Sequence, residues 1–131
     1  MSNQARGEFD VRVTPCPPDD PADTIPARLS LDKQFHGELE ATSKGQMLAA
    51  GTNVPGSAGY VAIERVSGSL AGHNGTFVLQ HIGKMTRGAP DLNINVVPDS
   101  GTGELEGLAG TMAIQIDGGK HSYEFDYTLP E

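Results

Sequence analysis

The chain has 131 residues, 37% hydrophobic, 20% charged and only 5% aromatic, a length and mix that suit one domain on one core. Its 17 glycines and 9 prolines, about a fifth of the chain against a usual ~12%, call for many short turns and disfavour a helical bundle or coiled coil. The formal charge of −8 repels phosphate backbones and anionic lipid surfaces, which excludes nucleic acid and membrane as expected partners.

From the start, Met1 to Val13 lacks the apolar core of a signal peptide, and no segment anywhere approaches the ~20 apolar residues of a membrane span. Within it Glu8 to Val13 alternates apolar and polar residues and stops at Pro15, which reads as a half-buried strand. Residues Pro15-Cys16-Pro17-Pro18-Asp19-Asp20-Pro21 open a proline-rich acidic loop, about 15–26, inside a single domain of residues 1–131. A lone cysteine, Cys16, makes no internal disulfide, and with no leader this indicates the cytoplasm.

Alternation resumes over Arg28 to Phe35, with Leu29, Leu31 and Phe35 on the dry side. Lys33 interrupts that side and is expected to snorkel to a barrel mouth, a cavity lysine being the alternative. Three less regular strands follow, about Glu38 to Thr52, Gly59 to Leu70 and Gly75 to Thr86. Leu92 to Val96, Met112 to Ile116 and Tyr123 to Leu129 complete eight, and Asp117-Gly118-Gly119 marks a tight hairpin between the last two. Eight half-buried antiparallel strands in so short a chain fit a sandwich or a closed barrel. The barrel is favoured because closure removes exposed edges.

Residues Gly68 to Gln80 align without gaps on Gly103 to Gln115, with six of thirteen positions identical. The shared frame is Gly-x-Leu-x-Gly-x-x-Gly-Thr leading into a strand. Glycines so spaced suit compact turns with positive φ, and the leucine can plug an end of the barrel. A phosphate cradle would need a helix after the glycines, whereas strands follow here. Since Met112, Ile114 and Ile116 form a dry face, Phe77, Leu79 and His81 should point inward too.

The two frames, with Gly59-Tyr-Val-Ala-Ile-Glu-Arg-Val-Ser before the first and Val96-Val-Pro-Asp-Ser before the second, resemble the bacterial domain-of-unknown-function family 3224. The resemblance runs from about Glu8 to Leu129. It implies an eight-stranded antiparallel barrel similar to plant allene oxide cyclase, and a homo-oligomer, since relatives of that fold often associate. It carries no activity and no catalytic residue.

Chemistry concentrates beside the first frame. A hairpin about Gly72 and His73 sets Glu64 opposite His81 on one face, where a carboxylate beside an imidazole can hold a proton for transfer. A slip of one residue brings Arg65 or Ile63 there instead, and a buried pair that only fixes strand register is the plainer reading. Tyr60, Tyr123 and Tyr127 offer phenols to a ligand or simply fill the core. The candidate catalytic residues are therefore Glu64 and His81, and the candidate ligand contacts are Arg65, Phe77, Leu79, His81, Tyr123 and Tyr127. His36, His73, His81 and His121 are scattered, so neither a metal nor a cofactor is expected. Three functions stand: a barrel binding a small apolar molecule in its lumen or mouth, a cyclase or isomerase using Glu64 and His81, and a non-catalytic homo-oligomeric scaffold.

Overall fold

The computed structural model describes residues 2–18, 22 and 25–130. Its strands are β1 (Asn3–Pro15), β2 (Ala27–Gly37), β3 (Leu39–Gly51), β4 (Ala58–Leu70), β5 (His73–Thr86), β6 (Ala89–Val96), β7 (Ala109–Asp117) and β8 (Lys120–Thr128). Each pairs antiparallel with its neighbour in sequence, and β1 closes on β8, so the sheet is the expected eight-stranded barrel. Among the described residues no helix is long and apolar enough to cross a membrane. Asp19, Asp20, Pro21 and Asp23 of the acidic loop lie outside the described residues.

The strands fall where the alternation puts them, though β6, β7 and β8 each begin three residues earlier and β1 is extended furthest. β1 begins at Asn3, well before Glu8, and this added stretch pairs with β8 from Asn3–Tyr127 to Phe9–His121. Ala5 and Gly7 are its inward residues, too small to register as an apolar stripe. Their smallness has a purpose: a side chain at Gly7 would collide with the Tyr123 hydroxyl. The β7–β8 turn is tight, with Gly118 (φ +57°) and Gly119 (φ +84°) in the left-handed region that suits a two-residue hairpin. The β6–β7 seam is the short one, paired only at Ile94–Met112 and Asn95–Thr111.

The interior is filled unevenly. At the end bearing the β2–β3 and β4–β5 turns, Phe35, Leu39, Leu70, Phe77, Leu105, Leu108, Tyr123, Phe125 and Tyr127 are buried together. Phe77 and Phe125 stack nearly parallel with centroids 5.8 Å apart, and Phe35 meets Tyr123 edge-on at 5.6 Å. The Leu39 amide donates to the Tyr123 oxygen (3.0 Å) while the Tyr123 hydroxyl donates to the His36 carbonyl (2.8 Å), pinning the β2–β3 turn to β8. The segment between β6 and β7 folds over this end as a single 3-10 turn, Gly103–Leu105. It is tied to β5 by Thr102 N–H to the Thr76 carbonyl (2.8 Å) and Asn74 N–H to Glu104 (2.9 Å).

The two glycine frames thus do different local work with one shared element. The first makes the Ala71-Gly72 turn of the β4–β5 hairpin and the second makes the 3-10 turn, yet Leu70 and Leu105 both plug the same end. Among the described residues the opposite end is open.

Candidate functional site

Between the plugged end and the open end lies a layer of polar side chains. On β4 the inward row is Tyr60, Ala62, Glu64 and Val66, so Glu64 is a carboxylate set into an otherwise apolar stripe, and it is fully buried. On the adjacent strand, Gly45 of β3 sits directly between Leu31 and Glu64 in register. A Cβ at Gly45 would come within 2.7 Å of the Glu64 backbone and Cβ, so this glycine leaves room for the carboxylate to reach across β3 towards β2. There it meets Lys33: Nζ lies 2.8 Å from Glu64 Oε2.

Lys33 therefore does not snorkel to the mouth as expected. It is buried, with its ammonium over the rings of Phe9 (5.3 Å) and Phe35 (5.8 Å), because Glu64 and two aromatic faces compensate its charge in place. His81, inward on β5 and 3% exposed, brings Nε2 to 3.4 Å from the same Glu64 oxygen. Tyr60 adds its hydroxyl 3.4 Å from His81 Nδ1, giving a chain Lys33–Glu64–His81–Tyr60 across three strands.

The approach of these groups is close but imperfectly aligned. Both Glu64 oxygens, His81 Nε2 and the hydroxyl of Ser43 are buried without an aligned hydrogen bond. Burial pushes the Glu64 carboxyl upward, but the neighbouring His81 and the Lys33 charge outweigh it and hold the group below its ordinary range, so Glu64 is ionised. Burial, helped by the Glu64 charge, pushes the Tyr60 phenol upward, so it keeps its proton.

Above this layer a cavity of about 510 Å3 opens at the barrel mouth, within the size range of small-molecule sites. Its lining is apolar, with Met47, Ala49, Ala58, Met85, Leu92 and Ile116 around Tyr60, and Lys84 and Asp91 at its border. Ile116 belongs to the inward row of β7 yet is 68% exposed, which shows how wide the mouth stands. Gly83 completes the shape: it is paired with Tyr60, whose ring occupies the space a side chain there would take.

The residues read from the sequence are distributed between these regions. Glu64 and His81 do meet, though not as direct partners. The hairpin turns at Ala71-Gly72, so Glu64 stands opposite Leu79 and His81 opposite Ala62, and the two side chains touch diagonally. Arg65 faces outward and is exposed. Phe77, Leu79, Tyr123 and Tyr127 are buried in the plugged half. The phenols of Tyr123 and Tyr127 are both pushed upward, chiefly by burial. Ser43 escaped sequence reading, as a serine in an irregular strand gives no signal. Among the described residues no three His, Cys, Asp or Glu side chains converge as metal ligands.

The fold and this layer define a closed barrel, plugged at one end, with a buried ionic cluster beneath an apolar mouth. By sequence the chain belongs to the family described as "Protein of unknown function (DUF3224)", whose model matches residues 5–127. It is similar to the crystal structure of a DUF3224 protein with unknown function from Shewanella oneidensis MR-1, at 50% identity over 100% of both chains and a TM-score of 0.92. No curated protein matches.

Proposed function

We propose that this protein binds a small, mainly apolar molecule in the open mouth of its barrel, with Tyr60 as the polar contact. The observation that carries this reading is the apolar cavity of about 510 Å3 standing over a buried Lys33–Glu64–His81 cluster. The apolar mouth exposes Met85, Leu92 and Ile116, and a ligand that covers them gains roughly 25 cal/mol per Å2 of apolar surface removed from water. Native mass spectrometry of the protein as purified tests it. A co-purifying species of a few hundred daltons, displaced by solvent exchange, is expected; a mouth that takes up neither native nor added apolar compounds overturns the reading.

A second reading, a cyclase or isomerase, draws on the 3.4 Å approach of Glu64 to His81. In that case the mouth folds the substrate and the Tyr60–His81–Glu64 chain moves the proton. Once a ligand is in hand, Glu64→Gln and His81→Ala separate the two. Loss of turnover with affinity kept indicates an enzyme, whereas unchanged ligand recovered from every variant indicates binding alone.

A further inference from the structure

The hydrogen-bond inventory of the polar layer goes further than the presence of a mouth and, resting on that reading, specifies the occupant. Lys33 directs its ammonium at Glu64 Oε2 and over two aromatic rings, so its charge is already compensated. His81 Nε2 faces the same oxygen at 3.4 Å. A bare lone pair there would oppose a carboxylate, so Nε2 carries a proton, and in the neutral imidazole Nδ1 is left as an acceptor. The Tyr60 hydroxyl, 3.4 Å from Nδ1, then donates inward to the histidine.

What remains for a ligand follows by subtraction. The Tyr60 oxygen, which lines the mouth, retains its lone pairs, whereas the atoms left without an aligned partner, both Glu64 oxygens, His81 Nε2 and the Ser43 hydroxyl, are all buried and do not line it. The donors of Lys33, His81 and Tyr60 all point into the protein. Lys33 is matched by Glu64 and, with the imidazole neutral, the layer offers no uncompensated positive charge to an anion, while an anion brought close to Glu64 is repelled.

We propose that the barrel mouth selects neutral apolar molecules bearing a hydroxyl group, in preference to the ketone or the carboxylate of similar skeleton. The hydroxyl donates to the Tyr60 oxygen and the hydrocarbon covers Met47, Met85, Leu92 and Ile116. A ketone presents a second acceptor to an acceptor and leaves both unpaired.

Two matched pairs of probes test this by calorimetric titration of the full chain at neutral pH: menthol against menthone, and n-octanol against octanoate. Menthol is expected to bind roughly five- to tenfold tighter than menthone, the worth of one hydrogen bond, and n-octanol at least about tenfold tighter than octanoate. In Tyr60→Phe the menthol affinity should fall to that of menthone while the menthone affinity holds. If menthone equals or exceeds menthol, or octanoate equals or exceeds n-octanol, in the unmodified protein, the donor rule is wrong though the mouth still binds. If none of the four binds, the mouth reading falls and takes the donor rule with it.

Discussion

Glu64 shows what one residue in an alternating row can and cannot disclose. The inward face of His81 is readable through the alignment of the two glycine frames, and that of Glu64 only through the hairpin that joins their strands, where a slip of one residue would bring Arg65 or Ile63 instead. The destination of the Lys33 ammonium is not readable. It depends on a glycine of the intervening strand, Gly45, and on the registers of two strand pairs, which no local pattern encodes. The cluster makes a pH prediction. The folded carboxyl of Glu64 lies below its ordinary value of 4.5, so its ionisation stabilises the fold fully above that value, and the contribution is lost as pH falls through 4.5 towards the lower folded pKa. Urea unfolding of the unmodified chain and Glu64→Gln should therefore show a stability gap that is constant near neutrality and narrows below about pH 4.5. A gap that stays constant down to pH 3, or widens, would contradict the ionised pair.

Among the elements, the glycine frames are the instructive ones. Their alignment orients Phe77, Leu79 and His81 through Met112, Ile114 and Ile116, and all six do lie on inward rows. It also points to a plugging leucine, found twice, as Leu70 and Leu105. The hairpin register was less accessible. The turn includes Ala71 at φ +49°, a backbone conformation that alanine seldom adopts, so nothing in the residues pointed to a turn at Ala71-Gly72 rather than one residue on. The plug itself is testable. Leu105 is 1% exposed, and Leu105→Ala should cost roughly 2–5 kcal/mol in urea unfolding, the usual range for a buried leucine. Because the plug and the mouth occupy opposite ends, the variant should keep the ligand affinity of the unmodified protein wherever it remains folded.

At the scale of the whole molecule, the even spread of alternating strands was enough to foresee closure, since an open sheet would leave two long edges. Alternation does not say how evenly the seams are zipped, and here they differ. The pairing of β6 with β7 covers only two residue pairs, whereas β4 and β5 pair from Ala58–Met85 to Leu70–His73. Amide hydrogen exchange should find the shortest-lived protection in the strand facing this seam, and the longest on β4 and β5. Uniform protection around the barrel would refute that ordering. The stacked rings and leucines at the far end carry a last implication. In the proposed binding role, a shaft sealed at its base offers one doorway among the described residues, so a guest would have to back out by the path it came in. Arrival and departure compete for the same rim, and a compound too bulky to descend would still bar both by lodging across it.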